Sequence, residues 1–298
     1  MQEETYRIGS WRVTRIPEIT LEFAPAALIP AWDDGVLGAE AEPVIRPTRA
    51  ARRDRLSVPV QSWLVQDSTC RILIDTGIGN GRQRAFPAFA NLMTDYLERL
   101  VAAGAAPEEV DYVFCTHLHT DHVGWNTREE GGRWVPTFPR ARYVWGRVEG
   151  TTARQARFEK GPAAGVFGDS IAPVITAGLV DEIDPGPFEP IDSVTFHATP
   201  GHSPGHLSIS IRSGGEEAFF GGDVLHNQVQ VLRPEWNSVF CETAELARTS
   251  RLWALSYAAD RNVLFFGSHL GGSSVGRVRR SGEQFTWIHE RGACEWHL

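Results

Sequence analysis

Thr116-His117-Leu118-His119-Thr120-Asp121-His122 is the stretch that decides how this chain of 298 residues is read. Directly before it, Tyr112-Val113-Phe114-Cys115 has the short apolar character of a buried strand. Alternate residues leaving a strand point the same way, so His117 and His119 share a direction while Asp121 and His122 turn towards a neighbouring position. Imidazole nitrogen and carboxylate oxygen are donors that suit zinc. One segment can therefore feed two adjacent ions, although taken alone the string also fits a surface cluster.

Three further donors stand where predicted strands end. His202 closes Thr199-Pro200-Gly201-His202 after a strand at Val194 to His197, Asp223 closes Gly221-Gly222-Asp223 after Ala218 to Phe220, and His269 closes Gly267-Ser268-His269 after Val263 to Phe266. The glycines beside them permit sharp exits and close backbone approach. Four strand ends that each carry donors to one edge make a site.

Working outward, Val58 to Val65 and Arg71 to Ile74 read as paired strands, the second stopping at Asp75-Thr76-Gly77. From Phe89 to Val101 apolar residues recur at helical spacing, with Gly104 as a stop. Arg142 to Trp145 is a strand leading to a helix around Arg147 to Phe158; Leu207 to Ile211 pairs with Ala218 to Phe220 through Ser213-Gly214-Gly215, and Thr243 to Ala259 is a helix. This layout predicts sheets faced by helices rather than one doubly wound parallel sheet. Residues 17 to 60, punctuated by Pro17, Pro25, Pro30, Pro43, Pro47 and Pro59, read as loop-rich. The expected organisation is an extended N-terminal segment over 1–57, acting as a lid or dimer arm, and a hydrolase domain over 58–298.

The ordered set THLHTDH, TPGHSPGH, GGD and GSH, spread over about Val58 to His269, resembles the metallo-β-lactamase superfamily. The resemblance implies an α+β fold, a four-layer αβ/βα sandwich. It implies that His117, His119 and His202 hold a first metal ion, that Asp121, His122 and His269 hold a second, and that Asp223 bridges them. Members resembling this chain that degrade antibiotics usually have a cysteine in place of Asp223 and no histidine matching His122, so penicillin-type hydrolysis is not expected. Flavin-linked di-iron members have Glu in place of His119, which disfavours redox chemistry. Two close cations lower the pKa of bound water to roughly 7, so the implied mechanism is attack by a metal-bridging hydroxide, with Asp121 as a proton shuttle.

Around these donors stand residues of lesser weight. Asp75 is expected behind the ligands, fixing an imidazole by its second nitrogen. His206 is expected to be structural. His226, where similar lactone-cleaving enzymes carry a tyrosine, is a candidate catalytic group, and Trp125 and Trp236 are candidate walls of a substrate pocket. His197, His289 and His297 carry no metal-like spacing.

Composition sets the outer limits. With 42% apolar and 22% charged residues the chain is expected to fold around a large core. A formal charge of −8 argues against a nucleic-acid partner, and the basic run Arg46, Arg49, Arg52, Arg53, Arg55 reads as a solvated loop. The chain shows no secretory signal and no membrane span, and Cys70, Cys115, Cys241 and Cys294 lack framework spacing, so free thiols in the cytoplasm are the expectation. Expected cofactors are two divalent ions, zinc first, with manganese, iron or cobalt as substitutes. The expected partner is a small-molecule substrate, with a homodimer as an option. The expected activity is hydrolysis of a small ester, lactone or phosphotriester; the rivals are hydrolytic dehalogenation of chlorinated aromatics and a non-catalytic metal-retaining sensor.

Overall fold

Trp11–Phe23 and Leu56–Gln66 are rich in the β-branched, aromatic and leucine side chains that pack well on a pleated surface. In the computed structural model, which describes residues 4–155 and 165–294, both are long strands. The chain forms two compact units, the first from the chain up to Ile19 and Val60–Asp184, the second from Thr20–Pro59 and Pro185–Ala293.

The first unit carries most of an eight-stranded sheet. Its strands are β1 (Glu4–Ile8), β2 (Trp11–Phe23), β3 (Leu56–Gln66), β4 (Arg71–Ile74), β5 (Tyr112–Phe114), β8 (Arg142–Gly146), β9 (Val180–Ile183) and β17 (Ala293–Cys294), in the order β17-β1-β2-β3-β4-β5-β8-β9. The pairs β4/β5, β5/β8 and β8/β9 are parallel, so these strands run their C-terminal ends towards one edge. A separate hairpin joins β6 (Thr127–Glu130) to β7 (Arg133–Pro136). Leu73, Tyr96, Leu100, Val113, Tyr143 and Trp145 belong to the core of this unit.

The second unit carries β10 (Gly186–Pro187), β11 (Val194–Ala198), β12 (Leu207–Ser213), β13 (Glu216–Phe220), β14 (Leu264–Phe266), β15 (Val275–Ser281) and β16 (Gln284–His289), paired in chain order. Only β13/β14 is parallel, and the helix Ala244–Arg261 makes that crossover before Asn262 ends it in the left-handed conformation.

Most predicted elements lie within two residues of the observed ones, and two helices differ. The helix expected over Phe89 to Val101 covers only Tyr96–Ala102. Asn91 has φ 53°, the Gly81 N–H donates to Leu92 O, and Asn80 Oδ1 holds the Thr94 N–H, so the backbone there is taken by loop bonds and Met93 faces solvent. The helix expected to reach Phe158 runs over Arg147–Ala153, and its last predicted residues lie outside the described ones. The β15–β16 hairpin has no counterpart among the predicted strands, because its arginines interrupt the apolar alternation.

Within the segment expected over 1–57, the described residues 4–57 hold more regular structure than an extended, loop-rich stretch. β1 and β2 are built into the eight-stranded sheet, and Pro25–Leu28 and Glu42–Ile45 are short helices whose prolines sit in the first turn. Leu28, Ile29, Ile45, Leu56 and Val58 pack with Val229 and Trp236 in a core of the second unit. The basic run beyond them is neutralised locally, by Arg46–Glu42 at 3.0 Å, Arg49–Asp34 at 3.5 Å and Arg52–Asp54 at 3.4 Å. Cys70, Cys115 and Cys241 are free thiols. Among the described residues no helix is long and apolar enough to cross a membrane.

Candidate metal centre

In the first unit, β5 delivers Thr116–His122 as a loop. The Asp75 N–H donates to Phe114 O at 2.9 Å and the Thr76 N–H to His122 O at 2.7 Å, which ties the end of β4 to that loop. His117 is fully buried and its ring lies 4.0 Å from that of His122 and 4.5 Å from that of His119, centroid to centroid. Three imidazoles this close face one another as converging donors do.

Asp75 sets which nitrogen each ring presents. It accepts from the Thr116 N–H at 2.8 Å, and its Oδ2 lies 2.9 Å from both Thr116 Oγ1 and His122 Nδ1. A carboxylate only accepts, so the Thr116 hydroxyl proton goes to Asp75 and the His122 proton sits on Nδ1. Thr116 Oγ1 is then left to accept from His117 Nδ1 at 3.1 Å. Both His117 and His122 consequently expose a bare Nε2, the form that binds a metal. Asp75 does this at φ 55°, a left-handed conformation unusual outside glycine.

In the second unit, three imidazoles surround the Asp223 carboxylate. His202 Nε2 and His226 Nε2 each lie 3.3 Å from Oδ2, and His269 Nε2 lies 3.2 Å from Oδ1. The His269 Nδ1–H donates to Pro59 O at 2.8 Å, so the neutral ring aims its Nε2 lone pair at a carboxylate. Two electron-rich atoms at that distance repel unless a cation lies between them. Donors about 2.0–2.1 Å from a tetrahedral zinc stand about 3.4 Å apart, close to the spacing seen. The donor set thus fits a divalent ion of the zinc type.

His206, expected to be structural, holds Asp223 by its backbone. The Asp223 N–H donates to His206 Nε2 at 2.9 Å, which puts the ring proton on Nδ1, facing Thr199 Oγ1 at 2.8 Å. From there the bonds pass to Ser208 Oγ at 3.0 Å and on to Gly221 O at 3.1 Å. The relay closes on the turn that carries Asp223. His226 is buried, burial pushing its pKa below the usual imidazole value while Asp223 opposes the shift.

The two tryptophans expected to line a pocket belong to buried hydrophobic clusters. Trp125 is 5% exposed, stacks on Tyr96 at 5.4 Å and donates its indole N–H to Glu18 at 2.7 Å; Trp236 is 7% exposed, packs in the second unit's core, and its carbonyl accepts from Gln230. The Trp125 indole, its N–H satisfied by Glu18, serves packing.

Sequence reasoning missed a buried set around the ligand loop. Arg84 Nε donates to Thr120 Oγ1 at 2.7 Å, between His119 and Asp121, while Arg82 donates to the carbonyls of Gly124 and Thr127 just beyond His122. Both guanidinium groups share Asp169, at 2.9 and 2.6 Å. Burial lowers Arg82 to about 10, with Asp169 opposing. Glu18 accepts from the Ile78 and Gly79 N–H groups as well as Trp125, and its pKa is raised by burial against those bonds. These partners lie 36 to 107 residues apart in the chain, beyond the reach of any local motif.

Residues 57–269 match the metallo-β-lactamase superfamily, and the chain belongs to it. Relatives include an N-acyl homoserine lactonase of Bacillus cereus, 28% identical over 171 residues, 53% of this chain and 60% of that protein. Another is the N-acyl homoserine lactonase AiiB of Agrobacterium fabrum, 32% identical over 93 residues, 26% of this chain and 32% of that protein. The chain thus spans less than two thirds of these relatives. Among solved structures, the hydrolase AbOPH is similar with a TM-score of 0.78 at 24% identity, covering 97% of this chain and 98% of that one. The dizinc quorum-quenching lactonase AidC gives 0.77 at 21% identity, covering 97% of each chain. These likenesses establish the α+β metallo-β-lactamase fold.

Proposed function

We propose that this chain is a dinuclear metal-dependent hydrolase of a small neutral lactone or ester, with phosphotriesters as further substrates. The observation that carries the reading is the Asp223 carboxylate with an imidazole nitrogen 3.2–3.3 Å from each of its oxygens, an arrangement that a bound cation relieves. In this reading the ligands are His117, His119, Asp121, His122, His202, Asp223 and His269. The lactonases among its relatives support the lactone bond as the first choice.

Two divalent ions, when bound, supply hydroxide at neutral pH and polarise the bond under attack. The protein's part is orientation and proton movement. Asp75 and Pro59 O fix the tautomers of His117, His122 and His269, and His206 holds the Asp223 turn. Asp121 keeps 18% of its side chain exposed with Oδ2 3.9 Å from His122 Nε2, a position from which a carboxylate can pass a proton to a departing alkoxide.

Elemental analysis of untagged protein, paired with turnover of lactones, aryl esters, phosphotriesters and chlorinated aromatics before and after chelation, tests this. About two metal ions per chain and chelator-sensitive acid release from lactones are expected. Chloride release without ester cleavage would redirect the reading to dehalogenation, and tight metal binding without turnover on any of these would replace it with a sensor.

A further inference from the structure

His226 presents an imidazole for which the seven-ligand set has no use. Its side chain is buried, neither ring nitrogen has a well-formed hydrogen bond among the described residues, Asp223 alone approaching Nε2, and a buried polar group left so is costly unless something else satisfies it. Its Nε2 lies 3.3 Å from Asp223 Oδ2, the oxygen that His202 Nε2 also approaches at 3.3 Å, and one donor atom from each of His202, Asp223 and His226 falls within 4.8 Å of the other two. The ring lies 5.0 Å from that of His202 and stacks with His269 at 5.9 Å and with Phe240 at 5.8 Å.

Its position is also built. The His226 N–H donates to Gln230 Oε1 at 2.7 Å, the Gln230 amide donates to Trp236 O at 2.9 Å, and the buried Arg251 donates to Val224 O at 2.9 Å, so the backbone on both sides of the ring is held. A fixed, unsatisfied imidazole beside two metal donors is a ligand in waiting.

We propose that His226 is an additional direct ligand, through Nε2, to the divalent ion that His202 and the Oδ2 of Asp223 hold. This rests on the metal-dependent reading above and gives this chain's site an extra nitrogen donor. It also reassigns His226 from the catalytic group expected from sequence, since a nitrogen whose lone pair is on a metal has no proton to donate.

The test is proton–cadmium correlation by NMR on protein loaded with cadmium-113, in which ring protons of ligating histidines show scalar coupling to the metal. Coupled signals from His202, His269 and His226, the last assigned by its loss in His226→Phe, are expected. Coupling at His202 and His269 without His226 overturns the inference and leaves the metal centre standing; coupling at none overturns both. In parallel, chelator competition on His226→Phe and His226→Gln, each checked for native circular dichroism, should show zinc affinity falling by more than the ~10–100-fold typical of an outer-shell partner. A smaller loss, or none, in a folded variant makes His226 a neighbour of the metal rather than its ligand.

Discussion

Asp75 shows how much one side chain can settle. It accepts from the backbone and hydroxyl of Thr116 and from His122 Nδ1, and through Thr116 it sets His117 as well. Asp75→Ala should therefore weaken zinc by ~10–100-fold, measured by competition with a chromophoric chelator; unchanged affinity would mean that the two rings need no outside orientation. His197 acts on stability rather than on metal. Burial among Phe219, Trp253 and Tyr257 lowers it to about 4, although Ser210 Oγ lies 2.9 Å from Nε2. Above pH 6.5 the ring is neutral folded or unfolded. Between 6.5 and 4 the unfolded chain takes up a proton that the folded one refuses, so stability falls with pH across that window. His197→Phe should flatten this part of a melting temperature against pH curve, and an unaltered slope would show that other groups produce it.

At the scale of elements, the ligand loop depends on a turn far away in sequence. The π-helical turn Phe167–Ile171 presents Asp169 to Arg82 and Arg84, whose side chains are 0% and 1% exposed, and those two arginines grip the loop, Arg84 at Thr120 and Arg82 just beyond His122. Removing the shared carboxylate leaves two buried cations without their partner, a change that costs about 3–5 kcal/mol. Asp169→Ala should thus lower the urea midpoint without changing the slope of the transition; a stability near that of the parent would mean that the carbonyl contacts suffice. The loop before His202 depends on a close approach instead. Gly201 sits at φ 127°, and a Cβ there would meet the backbone nitrogen of Ala247 at 2.1 Å. Gly201→Ala should push this loop off the helix Ala244–Arg261 and reduce both melting temperature and zinc retention. If it does neither, the contact is not needed to place His202.

For the whole molecule, metal and stability are linked. An ion that binds only the folded chain adds about 2.7 kcal/mol at a free concentration one hundred times its Kd. Metal-free protein should therefore melt at a temperature that climbs with added zinc and drops back on chelation, followed by calorimetry. A melting temperature indifferent to zinc would place the ligands outside any ion's grasp.

The amino-acid order determined the candidate donors of this protein and where each leaves its strand. Ligand spacing such as His117-x-His119-x-Asp121-His122 is a local property, and a short apolar strand ahead of glycine and histidine is legible within ten residues. Tertiary structure alone decided what holds those donors still. Glu18 meets Trp125 across 107 residues, Arg84 meets Thr120 across 36 and Asp169 across 85, and His206, just ahead of β12, meets the Asp223 turn 17 residues further on. The same is true of burial, which turned Trp125 and Trp236 into core residues and left His226 against Asp223 with no well-formed hydrogen bond among the described residues. The physical reason is that a ligand's identity is set by its own chemistry, whereas its tautomer, rigidity and desolvation are set by atoms that only folding brings beside it.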